Sequence, residues 1–281
     1  MAASASSPPP SAIVTRLRAA GCVFAEDEAR LLISAASTPA DLAAMVDRRA
    51  AGQPLEHVVG WAKFCGLRIA VDPGVFVPRR RSEFLVRQAV GLAGRPAAAS
   101  HSGQAGPPAV IVDLCCGSGA LGAAVTAALD RAELHAADVD PAAVRCARRN
   151  LAACGGRVYE GDLYQPLPST LRGRVGILLA NVPYVPTEAV QTLPPEARLH
   201  EARLALDGGP DGLDVLRRVA AAAPRWLAPG GHLLIETSER QAPRTAEAFT
   251  RRGLAARVVS SADLNATVII GTRPVRPAPA G

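Results

Sequence analysis

The chain holds 281 residues, 49% of them hydrophobic and only 4% aromatic, with a formal net charge of +6 and an isoelectric point near 9.4. That is enough for one large domain, or a main domain with a small companion, built on Ala, Val and Leu. No apolar run is long enough to span a membrane, and the opening residues lack the basic start and apolar stretch of a secretory signal. Residues 1–11 therefore read as a disordered tail and the protein as cytoplasmic. The basic balance is compatible with a ribosome- or RNA-associated partner without requiring one. The six cysteines (Cys22, Cys65, Cys115, Cys116, Cys146 and Cys154) form no CxxC and no Cys/His group of zinc spacing. Reduced thiols and no metal are expected.

Residues 12–52 read as a helical, substrate-positioning domain. Ile13, Val14 and Leu17, then Ala29, Leu32 and Ile33, recur at helical spacing, and Thr38-Pro39-Ala40-Asp41 opens another helix. Residues 53–84 connect this domain to the rest. Phe64 to Val71 suggests a hairpin turning near Gly66. Arg79-Arg80-Arg81 then leads into a helix opening at Ser82, with Glu83 in its first turn. Three consecutive arginines commonly mark a solvated surface; lying between two patterned segments, they are also a candidate site. Residues 94–108 read as a flexible loop by composition.

From Ala109, strands and helices alternate. Val110–Leu114 is a strand, and the turn Cys115-Cys116-Gly117-Ser118-Gly119 leads into a helix; glycines there let a ligand approach the backbone. The next strand ends at Asp138, placed to accept from a ribose diol. With Asp113 ending the strand before it, the turn suits a nucleoside bearing a charged sulfonium better than a dinucleotide. Asp162 follows the third strand, either as a cap or as a carboxylate at the adenine end. The fourth strand, Val175 to Leu179, is cut off by Asn181-Val182-Pro183-Tyr184. Ligands sit at the C-terminal ends of such strands. Asn181 both accepts and donates, and Pro183 holds Val182 extended, which restricts the direction of its carbonyl. Two acceptors in a fixed frame grip an NH2 group by both hydrogens, and Tyr184 offers an aromatic face. By itself the tetrapeptide is equally a turn. Residues 187–217 form a long insertion, with Gly208, Gly209 and Gly212 in a turn, placed to cover a substrate. A strand ending near Glu236, a helix and a closing antiparallel pair complete the alternation, and residues 274–281 read as a tail.

The stretches GQPLEHVVG, FVPRRRSEFLV, VDLCCGSGALGAA, AADVDPAAVRCARRNL, GDLYQPLP, NVPYVP, HEARLALDGGPDGLDVL and LAPGGHLLIE cover about residues 52–273. Together they resemble the HemK/PrmC-type protein glutamine methyltransferases, which methylate peptide-release factors. The resemblance implies an α/β, Rossmann-like S-adenosylmethionine-dependent methyltransferase fold over residues 85–273. A small N-terminal helical domain and a linking β-hairpin precede it. It implies S-adenosylmethionine as cofactor, beside Asp113, Cys115, Gly117, Gly119, Asp138, Asp162, Leu163 and Asn181. It puts the glutamine amide between the Asn181 side chain and the Val182 carbonyl, with Pro183 and Tyr184 alongside and Arg79 and Glu83 near the entrance. Asn181 and Tyr184 would carry catalysis, and the partner would be a release factor bearing Gly-Gly-Gln.

Three departures stand out. Val182 replaces the first proline of the usual Asn-Pro-Pro-Tyr, Arg79 to Glu83 replaces Arg-Pro-Glu-Thr-Glu, and Asp263 to Thr267 replaces an Asp-Leu…Asp-Arg pattern. An alternative is a nucleic-acid methyltransferase acting on an exocyclic amine of adenine or guanine, with Tyr184 stacking on a flipped base; the segments PRRRSE and LALDGGPDGLD argue against it. A binding protein that has lost catalysis rests on Val182 alone.

Overall fold

The structure is a computed structural model that describes residues 8–93 and 108–275. Of the expected loop at 94–108, all but Pro108 lies outside the described residues, as do most of the two expected tails. The first helix already includes Pro10 and Ser11. A proline at the first helical position and the apolar pair Ile13 and Leu17 set α1, Pro10–Ala19. Helix α2, Ala25–Ala35, carries Glu26, Asp27 and Glu28 at its positive end. In α3, Pro39–Ala50, the Thr38 hydroxyl caps the helix by accepting from the Asp41 N–H at 3.1 Å. These three helices enclose a core of their own around Leu17, Leu32, Leu42 and Val46.

The connection contains a short helix that the sequence pattern did not suggest, α4, Leu55–Val59. It leads into the hairpin β1, Trp61–Phe64, and β2, Leu67–Ala70. Phe64 pairs with Leu67, so Cys65 and Gly66 alone form the turn, and both take positive φ (48° and 79°), the mirror-type geometry that tight hairpins favour. A tight turn at Arg80–Ser82 precedes α5, Glu83–Ala93, which starts one residue later than expected.

The rest winds as β3 Ala109–Leu114, α6 Ala120–Ala127, β4 Ala132–Asp138, α7 Pro141–Leu151, β5 Arg157–Glu160 and β6 Val175–Ala180. It continues with α8 Pro195–His200, α9 Asp214–Trp226, β7 Leu227–Thr237, α10 Ala242–Thr250, β8 Ala255–Ser261 and β9 Ala266–Thr272. The seven strands lie in the order β5-β4-β3-β6-β7-β9-β8, with the first five parallel and β9 antiparallel to both neighbours. Alternate residues of the central strands serve opposite layers. Val112 and Leu178 face the core with Leu216 and Val219 of α9, whereas Ile111 and Ile177 face Leu85 of α5 and Leu121 of α6. From β3 the chain builds outward to β4 and β5, then returns to the other side with β6. Such a reversal opens a crevice at the carboxyl ends of β3 and β6. None of the described helices is long and apolar enough to cross a membrane.

Candidate active site

A cavity of about 650 Å³ occupies that crevice. Register brings the strand ends to one level, since Leu114 pairs with Ala137 and with Ala180, and Ala180 with Ile235. Cys115, Asp138, Asn181 and Glu236 therefore emerge side by side, and all four line the cavity. Among the described residues, four non-glycine residues adopt a left-handed backbone, and Cys115, Leu163 and Asn265 of these line this cavity. Such backbone strain gathers where a site requires it.

Asp138 is 8% exposed. One carboxylate oxygen accepts from the Gly117 N–H at 2.8 Å and the other from the Asp140 N–H at 2.9 Å. Burial pushes its pKa up, and these two N–H groups oppose that shift. A carboxylate can accept further hydrogen bonds beyond these. Asp162 and Leu163 also line the cavity, with Asp162 ion-paired to Arg218 of α9.

At the other strand ends, Asn181 Oδ1 is buried without a hydrogen-bond partner among the described residues. Val182 and Pro183 are buried beside it, and the Tyr184 ring lines the wall. The Tyr184 hydroxyl accepts from Arg81 Nη2 at 2.5 Å and donates to Glu236 Oε1 at 3.3 Å. Burial and then Glu236 push this phenol up to about 12, so it keeps its proton and remains a donor.

The acceptor loop is held from behind. Val185 exchanges backbone hydrogen bonds with Leu206 and Gly208, and the Gln241 amide donates to the Tyr184 carbonyl at 2.9 Å. A Cβ on Gly212 would come within 2.3 Å of that carbonyl, and one on Gly208 within 2.6 Å of the Pro183 carbonyl, so these two glycines are packed directly against the loop. The insertion also forms part of the cavity wall, through Pro194, Glu196 and Leu206 among others. Two ion pairs tie it to the N-terminal half. Buried Arg49 reaches Glu28 and Glu196, each at 2.6 Å, and Arg79 meets both oxygens of buried Glu201 at 2.6 and 2.7 Å.

Three of the expected site residues stand off the cavity wall. Asp113 is fully buried beneath it, with one oxygen accepting from the Gly122 N–H at 2.9 Å; it fastens the start of α6. Gly119 lets α6 approach Leu151 and Ala147 of α7, which a Cβ would crowd at 3.1–3.3 Å. Glu83 accepts from the Cys65 N–H at 3.0 Å and so locks the hairpin turn to α5. Arg79 does line the cavity, yet the arginine that touches Tyr184 is Arg81. Sequence reasoning also left out Glu236. Its signal was the same as that of Asn181, a polar residue ending an apolar strand.

Burial raises the Asp113 carboxyl to about 7, against roughly 4 in an unfolded chain. The folded protein thus holds a proton that the unfolded chain releases, and this group lowers stability progressively as pH rises across that interval. Asp113→Asn should therefore gain most over wild type near about pH 8 and lose that gain near about pH 4. Urea midpoints at the two pH values check this, and equal differences would contradict it.

Five parallel strands reversing at β3 and β6, a glycine turn after β3, an acid ending β4 and an antiparallel β9 inserted between β7 and β8 make the frame of a Rossmann-like, S-adenosylmethionine-dependent methyltransferase. Residues 104–210 match the family described as the methyltransferase small domain. The crystal structure of a methyltransferase from Pyrococcus furiosus shares the fold, with TM-score 0.53 and 15% identity over 75% of this chain and 90% of that one. The release factor glutamine methyltransferase of Geobacter sulfurreducens is 37% identical over 220 residues, 76% of this chain and 72% of that protein. The 4-amino-L-phenylalanine/4-methylamino-L-phenylalanine methyltransferase of Streptomyces pristinaespiralis is 36% identical over 208 residues, 74% of this chain and 69% of that protein. The chain belongs to the release factor glutamine methyltransferase family.

The residues present fit the donor. Asp138, a buried carboxylate anchored by backbone N–H groups, lines the cavity, and the left-handed backbone at Cys115 and Leu163 borders the same space. S-adenosylmethionine supplies an electrophilic methyl on a sulfonium. Asp138→Ala should weaken binding of S-adenosylhomocysteine by about tenfold to a hundredfold, the worth of hydrogen bonds to a charged acceptor. Calorimetric titration checks it, and unchanged affinity would remove Asp138 from the cofactor site.

Proposed function

We propose that this protein methylates the side-chain amide nitrogen of a glutamine in a protein, the Gly-Gly-Gln glutamine of a peptide-release factor, in the cytoplasm. The observation that carries the reading is the buried, unpartnered Oδ1 of Asn181 at the cavity wall. A buried acceptor without a donor is costly, and a substrate N–H relieves it. The Val182 carbonyl accepts no hydrogen bond from the described residues, and Pro183 restricts its direction. Val182 keeps this carbonyl although it lacks the proline ring, so the departure from Asn-Pro-Pro-Tyr leaves the pair of acceptors intact.

An amide nitrogen is a poor nucleophile because its lone pair is delocalised into the carbonyl. Asn181 Oδ1 and the Val182 carbonyl, each taking one N–H, orient the nitrogen, and such orientation supplies roughly 7–11 kcal/mol. Tyr184, fixed through its hydroxyl, closes one side. The names of the relatives support a glutamine acceptor, and the Streptomyces pristinaespiralis enzyme, named for an aromatic amine, indicates that close relatives take other NH2 groups. Incubation with methyl-labelled S-adenosylmethionine and, separately, a release factor and a stem-loop RNA tests the reading. Label on the release factor supports it; label on RNA alone moves the acceptor to an exocyclic amine.

A further inference from the structure

Eight buried side-chain polar atoms among the described residues lack a hydrogen-bond partner, and four of them belong to residues lining this cavity: Ser82 Oγ, Asn181 Oδ1, Glu236 Oε2 and Thr237 Oγ1. Hydroxyls rotate to meet whatever arrives. A carboxylate oxygen is acceptor-only when ionised, and leaving it buried without a donor costs more than for a neutral group. Glu236 is 2% exposed. Its Oε1 is taken by Arg81 Nε at 2.9 Å and by the Tyr184 hydroxyl at 3.3 Å. With Oε1 fixed on two donors, Oε2 is held in place. Ala180 pairs with Ile235, so Asn181 and Glu236 leave neighbouring strands at one level.

We propose that Glu236 Oε2 receives the proton that leaves the acceptor nitrogen. The inference rests on the amide acceptor proposed above and adds the group that reading lacks. A neutral amide that gains a methyl must shed one N–H proton. The new N–C bond forms from the nitrogen pair, and the pair of the broken carbon–sulfur bond stays on sulfur. The N–H pair returns to nitrogen as the proton that faces Asn181 Oδ1 passes to Oε2 on the neighbouring strand. Asn181 Oδ1 and the Val182 carbonyl aim the nitrogen but have no basicity to keep its proton; the carboxylate beside them does. Arg81, where the resembling family has glutamate, holds that carboxylate from the opposite oxygen.

Glu236→Gln tests this. Its carbonyl keeps accepting from Arg81, and an NH2 donor replaces the unpartnered oxygen. For a Gly-Gly-Gln peptide, kcat should fall about a hundredfold or more, the usual worth of proton transfer to a positioned group, with KM changed by less than about threefold. Sinefungin, which carries an amine where the transferable methyl stands, should bind about tenfold more weakly or worse, while S-adenosylhomocysteine changes by less than about threefold. A variant that transfers methyl within about threefold of the wild-type rate, with unchanged sinefungin affinity, overturns the inference. If wild type leaves the peptide unlabelled, the glutamine reading fails. The sinefungin ratio then still decides whether the carboxylate faces the transferred carbon, and no loss of affinity overturns it. Should Glu236→Gln not fold, Glu236→Asp, which keeps the charge and shortens its reach, serves the same comparison.

Discussion

Asn181→Ala should lower methyl transfer by about 10²- to 10³-fold, the usual cost of deleting one preorganised hydrogen-bonding group at a reacting centre. The fold should be little affected. Among the described residues Asn181 Oδ1 has no hydrogen-bond partner, so truncation removes no such bond and leaves only a small gap at a cavity wall. The donor should bind as in wild type, because Asp138, the carboxylate proposed for its ribose, lies on another strand. Initial rates with labelled S-adenosylmethionine, paired with calorimetry on S-adenosylhomocysteine, separate these effects. A variant that loses donor affinity in parallel with rate would place Asn181 at the cofactor instead of the acceptor.

The second large effect lies outside the tetrapeptide. Gly212 has φ of 76°, and a Cβ there would meet the Tyr184 carbonyl at 2.3 Å and the Gln241 amide at 2.5 Å. Gly212→Ala should cost about 2–4 kcal/mol, joining left-handed strain to a clash against backbone. It should also depress activity by moving Tyr184, and with it the hydroxyl that bridges Arg81 and Glu236. Gly253 is the natural control, since its φ is also 76° yet no atom of the described residues lies within 4 Å of the added carbon. Gly253→Ala should show the strain alone, about 1–2 kcal/mol, with full activity. Urea unfolding and initial rates on both variants check this, and equal losses would mean that the loop is indifferent to its glycine support.

Much of the sheet could be read in the sequence because its strands are short apolar runs with punctuated ends. Val110 to Leu114 and Val175 to Leu179 stop at glycine or at Asn-x-Pro, and no helix of normal length fits between those stops. The same punctuation located Asp138 and Asn181. What escaped were features set by partners distant in the chain. Helix α8 has six residues, too few to persist alone; it is fastened by Arg49 to Glu196 and by the bridge between Gly74 and Glu201. The phase of Arg79, Arg80 and Arg81 was likewise hidden. A non-helical turn gives no period to read, and Glu201 and Glu236, which sort the first and third arginines, come more than a hundred residues later. Asp113 carries the converse ambiguity. A strand-end acid beside a glycine turn carries the same sequence signal whether it faces the ligand or the N–H groups of the next helix. Only its complete burial tells them apart.

The measurement that bears most directly on the central claim is peptide mapping by tandem mass spectrometry of a release factor incubated with this protein and S-adenosylmethionine. One added methyl on the side-chain nitrogen of the Gly-Gly-Gln glutamine, absent when Asn181→Ala replaces wild type, is the predicted result. Methylation at another residue, or the same glutamine modified equally by the variant, would contradict an acceptor held at Asn181.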